Sequence, residues 1–274
     1  IRRLENIGYT YEMANKLFGR LGFGNNLINL PQAITGALQV SLVPAIAYLM
    51  ARKDMTSIRR NASASLKITL LIALPSAVGL ALLSQDVMLL LYPTKVEAAI
   101  GAGEILRISA WGIIFLSLFQ STTGILQGLG KQLLPARNLL IGAVLKLILS
   151  YVLIGIPAIN IKGAAISSVC GFMLACVLNM ISISKYTGLK ISFVKDVLKP
   201  VFAVTIMGVA VVATKVALTG IISSKIVTIG SIGIGAIVFF AMVFALRIIN
   251  DEDLKLMPGG GKIKKISNKI HKKR

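Results

Sequence analysis

Acidic residues are scarce in this chain: 10 Asp and Glu stand against 30 Lys and Arg in 274 residues, a net charge of +20. Cysteine is nearly absent as well. Cys170 and Cys176 are the two present, which excludes a disulfide scaffold and a thiolate metal cluster. They lie six residues apart in one apolar run and so point to different sides of a helix, as inert thiols of a membrane segment do. The single histidine, His271, sits in a basic tail, which leaves no His-based metal site or catalytic triad. No cofactor, metal or nucleophile–base pair is expected, and the chain is not read as an enzyme.

Apolar sequence fills the space. Hydrophobic residues make up 55% of the chain and charged residues 15%, with a mean hydropathy of +0.82. A water-soluble domain of this length cannot hide that much apolar surface, so a bilayer is the expected solvent. The positive charge alone would suggest nucleic acid. Here the basic residues fall between long apolar runs instead of covering a folded surface, and there is no aromatic platform, so nucleic acid is not expected as a partner. The chain opens at Ile1 without a signal-peptide pattern and is expected to be a piece of a longer one.

A helix crossing the hydrocarbon needs about 20 apolar residues. Seven segments meet or approach that length: Leu21 to Ala51, Ile68 to Gln85, Ile108 to Gly130, Asn138 to Ile161, Gly163 to Ser184, Pro200 to Ser224 and Ile226 to Leu246. Their length and lack of alternation predict helices, not barrel strands. Pro31 and Pro44 predict a kink or tilt in the first. The expected organisation is an extracellular segment over 1–20, a seven-helix transmembrane lobe over 21–250 and a basic cytoplasmic tail over 251–274.

With seven crossings the loops alternate between two sides. Twenty Lys and Arg fall on the side of Arg52, Lys131, Lys185 and the tail; nine fall on the side of Arg2, Lys95 and Lys162; Lys146 lies within a span. The positive-inside rule places the first side, and the C-terminus, in the cytoplasm of a multi-pass cell-membrane protein. In the tail, Lys262, Lys264, Lys265, Lys272 and Lys273 follow three glycines and suit attraction to anionic lipid headgroups.

Lys146 is nine residues beyond Arg137, roughly 13 Å along a helix and close to the middle of the hydrocarbon. An ammonium facing lipid at that depth costs about 2.5–3.5 kcal/mol on insertion scales. It is therefore expected to face a polar cavity, as a contact for an anionic substrate, or to be held structurally by carbonyls and neighbouring side chains. Asn138, Gly142, Lys146 and Ser150 recur every four residues on one slowly drifting face. The pairs Gln32/Gln39 and Gln120/Gln127 are each seven apart, and Asn179 is a further buried-span amide. Such amides either bond helix to helix or line a hydrated path. The substrate-path candidates are Lys146, Asn138, Ser150, Gln39 and Gln127. No carboxylate lies deep in a span; Asp86 and Glu104 are near span ends, so a proton relay or sodium site has no acidic groups at depth here.

Asn29-Leu30-Pro31 with Ser41-Leu42-Val43-Pro44-Ala45, then Gly124-Ile125-Leu126-Gln127-Gly128-Leu129-Gly130-Lys131 with Pro135, then Lys146 with Ser150 to Pro157 and Ile161 to Ala165 follow in order. Together they resemble the C-terminal half of the multidrug/oligosaccharidyl-lipid/polysaccharide flippase superfamily. The nearest branch is the stage V sporulation protein B group of polysaccharide-biosynthesis transporters, which is related to lipid II flippases. The resemblance covers most of residues 25 to 190. It implies the C-terminal lobe of a fourteen-helix, all-α, MATE-like membrane transporter whose N-terminal lobe is its partner. It also implies translocation of a polyprenyl-pyrophosphate-linked sugar, a peptidoglycan precursor, with roles in cell-wall synthesis and sporulation. Ion-coupled multidrug efflux on the same fold and a non-transporting scaffold for cell-wall enzymes are the alternatives.

Overall fold

The structure is a computed structural model, and it describes residues 1–189, 197–246 and 248. Ten helices follow one another, with no β-strand among the described residues: α1 Arg2–Glu5, α2 Tyr11–Ala51, α3 Met55–Leu82, α4 Ser84–Leu91, α5 Val96–Ser109, α6 Gly112–Gly128, α7 Leu133–Ile154, α8 Lys162–Thr187, α9 Lys199–Leu218 and α10 Ser224–Ala245. Six are long and apolar enough to cross a membrane, and α5 with α6, bent by 48° at their junction, is long and apolar enough together to form either a seventh, broken span or a re-entrant loop. The predicted basic tail, with Lys262, Lys264, Lys265, Lys272 and Lys273, lies outside the described residues.

Local chemistry sets the ends. The helix of the first apolar run begins at Tyr11, ten residues before the run itself, because the Thr10 side chain accepts a hydrogen bond from the Met13 amide. The 41-residue α2 runs through both prolines and is about 60 Å long, twice the hydrocarbon thickness. Asp54 caps α3 by accepting from the Ser57 amide at 3.0 Å. Hydrogen bonds from Ser57 hold its carboxyl below the usual carboxylate range. Gly188, at φ +67°, ends α8 in the left-handed conformation that a side chain resists. The segment expected as one span over 108–130 is instead the bent pair, broken at Ala110 and Trp111.

Helix α6 occupies the middle, packed on α2, α3 and α8; α7 lies chiefly on α8, α4 on α5, and α9 with α10 forms a pair set against α3. The central helix can be surrounded because its buried face is small: Ser117, Ser121, Thr122, Thr123, Gly124 and Gly128. A β-carbon at Gly124 would stand 2.8 Å from the Gln39 carbonyl oxygen of α2, and one at Gly128 would stand 2.6 Å from Ile46 Cβ. Small residues at this spacing let backbones close without help from a hydrophobic driving force.

Candidate functional site

Three amides of α2, Asn25, Asn29 and Gln32, fall at i, i+4 and i+7 and therefore share a face. They form one wall of a cavity of about 240 Å³. The α5–α6 bend supplies Ser109 and Gly112 to its floor, α8 adds Ser168 and Phe172, and α7 contributes Lys146. Helices α2 and α7 are not a packed pair: each leans on the floor helices, so a cleft stays open between them.

Lys146 stands eight residues from the end of α7 and 13 from its start, or about 12 Å and 20 Å along the axis. Glycine puts it there. A β-carbon at Gly142 would collide with the Gly171 carbonyl oxygen, and one at Gly171 would meet Lys146 Cβ at 3.0 Å. The α7 and α8 backbones thus touch just below the lysine, which projects into the cleft. Its Nζ makes no hydrogen bond or ion pair among the described residues. No Asp or Glu lines the cavity. The Ser109 hydroxyl, fully buried on the floor, also has no partner among the described residues.

Three cations near the span ends are instead paired with carboxylates. Arg20 pairs with Glu97 at 2.7 Å, Lys162 with Glu104 at 2.8 Å, and Lys215 with Asp86. All three carboxylates lie at one end of the lobe and are neutralised there. Lys146 alone among these faces a chamber without counter-charge. Among the described residues no three His, Cys, Asp or Glu side chains come together as metal ligands.

The remaining candidates lie elsewhere. Asn138 does not reach the cleft: it is fully buried and donates to Asn179 Oδ1 at 2.9 Å, and Asn179 donates in turn to Thr122 and Thr123. A four-residue spacing rotates about 40° per step, so the α7 stripe winds from the packed interior at Asn138 to the open face at Lys146. Ser150, one turn further on, is half-buried and outside the lining. Gln39 packs its backbone and Cγ on Gly124, and Gln127, half-buried, is also outside the lining. Asn25, Asn29, Ser109 and Ser168 are the lining residues that sequence reasoning passed over. The i, i+4, i+7 amides were the available signal.

Six apolar helices and the bent α5–α6 pair, with α6 at the centre, thus leave a cleft into which one lysine projects. Residues 18–249 match the model of the family described as "Lipid II flippase MurJ". The chain belongs to the lipid II flippase family. Within it, the chain is similar to stage V sporulation protein B of Bacillus subtilis (strain 168), 32% identical over 174 residues, 63% of this chain and 32% of that protein. It is similar to the lipid II flippase MurJ of the same organism, 29% identical over 188 residues, 68% of this chain and 34% of that one. A shorter match, 32% over 132 residues and 28% of the relative, is to a probable multidrug resistance protein NorM of Rhizobium meliloti (strain 1021). A solved lipid II flippase MurJ in an inward closed conformation shares the fold at a TM-score of 0.69 and 18% identity, over 84% of this chain and 47% of that one. The chain thus spans about a third of the length of the curated flippases it matches.

Proposed function

We propose that this chain is the C-terminal lobe of a flippase that carries a polyprenyl-pyrophosphate-linked sugar, a peptidoglycan precursor, across the cytoplasmic membrane. An N-terminal lobe would close the open side of the cleft, and the two lobes would rock between inward-open and outward-open states around it. The observation that carries this reading is Lys146, without a partner among the described residues, in a chamber whose other polar lining groups are amides and hydroxyls and which has no carboxylate among them. A pyrophosphate leaving the headgroup region needs counter-charge, which an ammonium in a low-dielectric cleft supplies. Asn25, Asn29 and Gln32 offer amide donors and acceptors to phosphate and sugar hydroxyls, while the polyprenyl chain stays in the bilayer. No covalent bond is made or broken. Basic residues gathered at the Arg52, Lys131 and Lys185 end support a cytoplasmic C-terminus, and the polybasic tail suits anionic lipid.

Efflux of organic cations would require the reverse electrostatics, a carboxylate where Lys146 stands. The test uses the complete transporter in liposomes loaded with fluorescent polyprenyl-pyrophosphate-linked sugar. Lys146→Ala is expected to slow translocation by about tenfold or more, the worth of one charge-assisted contact, and Lys146→Arg to keep part of it. Unchanged rates in both variants, at equal protein levels, would make Lys146 structural. Movement of organic cations but not of the glycolipid by the wild type would reject the substrate class.

A further inference from the structure

The most highly charged chamber in the lobe is not the cleft. At the end where α3 finishes and α8 starts, a cavity of about 460 Å³ opens among α3, α4, α5, α8 and α9. Two carboxylates line it, and each is already answered: Asp86 by Lys215 and Glu104 by Lys162. A third cation, Arg107, is exposed on the same wall and has no hydrogen-bond or carboxylate partner among the described residues. With three cations against two carboxylates, the chamber carries one surplus positive charge. Gln85, also exposed, adds an amide beside it.

This chamber adjoins an apolar trough. A groove of about 750 Å³ runs between α3 and α9, walled by residues such as Val78, Gly208, Val212 and Trp111. Leu82 belongs to the linings of both spaces, and the neighbours Lys215 and Val216 line one each. Arg107 lines the charged chamber and Trp111, one helical turn on, lines the apolar groove, whose rim residues Val209 and Val216 are exposed. Two spaces of opposite character joined at one residue match an amphiphile.

We propose that this is a resident lipid site: Arg107 holds the phosphate of an anionic phospholipid, and one of its acyl chains fills the groove between α3 and α9. Guanidinium and phosphate meet through paired N–H···O bonds, a geometry that a lysine reproduces only as a point charge. The carboxylates of Asp86 and Glu104, neutralised by their lysines, and the Gln85 amide accept or donate to hydroxyls of a polyol headgroup. The acyl chain would extend the α3–α9 packing along its open groove, so the lipid would help fasten the α9–α10 pair to the rest of the lobe. This site is separate from the cleft, and it stands whether or not the cleft carries a glycolipid.

Native mass spectrometry of the complete transporter decides it. Protein released from detergent with phosphatidylglycerol, with phosphatidylcholine of the same chains, and with polyprenyl-pyrophosphate-linked sugar would be compared for retained adducts. Phosphatidylglycerol is expected to be held in preference to phosphatidylcholine, with retention falling about tenfold in Arg107→Ala and partly restored in Arg107→Lys. Val212→Trp, which fills the groove without touching Arg107, should lower it too, and this variant carries the test should Arg107→Ala fail to fold. Equal retention of both phospholipids, retention unaltered by Arg107→Ala or Val212→Trp, or an Arg107-dependent adduct with the sugar lipid alone would overturn the proposal. A transporter that retains phosphatidylglycerol through Arg107 yet moves no glycolipid would reject the flippase reading and leave this one standing.

Discussion

Asn179 makes three hydrogen bonds in the interior of the lobe, one accepted from Asn138 and two donated to Thr122 and Thr123, while the Asn138 carbonyl oxygen has none. The two asparagines are equally buried and chemically identical, yet they should not be equally costly to lose. Asn179→Leu strips a partner from Asn138 and leaves two threonine hydroxyls with backbone acceptors at most, so the desolvation penalty of about 1–3 kcal/mol applies. Asn138→Leu removes one bond and exchanges the bare Asn138 Oδ1 for a bare Asn179 Oδ1, leaving the number of unpaired acceptors unchanged, for about 0.6 kcal/mol, the mean for interhelical bonds in lipid. Denaturant titration of both variants in mixed micelles checks the order; a larger loss for Asn138 would mean that its carbonyl has a partner after all. At this scale Lys146 was legible beforehand because a cation in a 20-residue apolar run must be explained. Asn138 was not, because its eight-residue spacing from Lys146, two four-residue steps, says that both lie near one face but not which neighbour covers that face.

Glycine placement governs the elements. The α7–α8 pair closes where Gly142 and Gly171 meet backbone to backbone, whereas Gly230 of α10 has open space around it. Gly142→Ala forces a collision with the Gly171 carbonyl that no rotamer relieves, and should destabilise the lobe by about 1–3 kcal/mol. Gly230→Ala should be neutral or raise stability by about 0.5–1 kcal/mol through helix propensity. Thermal unfolding in detergent separates the two, and equal melting points would show that α7 can slide on α8. Because Lys146 Cβ lies against Gly171, the same slide would move the cation, so Gly142→Ala should also slow transport. The spans themselves were readable from apolar length alone. The break at Ala110 and Trp111 was not, since neither residue is a proline or glycine. It follows from α5 lying against α2 and α4 while α6 turns into the centre of the bundle.

For the whole molecule, the charge distribution predicts the sidedness. In a background lacking Cys170 and Cys176, Lys95→Cys should react with a membrane-impermeant maleimide on intact cells, and Lys131→Cys only after permeabilisation. The opposite pattern would invert the lobe, and with it the face on which Arg107 lies. Membrane residence and the apolar spans were legible in the sequence itself, because bilayer thickness converts apolar length into spans, and its basic loops predict their sides. So was the presence of one lysine too deep to reach water. Only the tertiary structure decided what that lysine faces. Two helices far apart in sequence, α2 and α7, stand apart over a floor built by α8 and the α5–α6 bend, and whether a polar face meets another helix or an open cleft depends on packing that no spacing within one helix records.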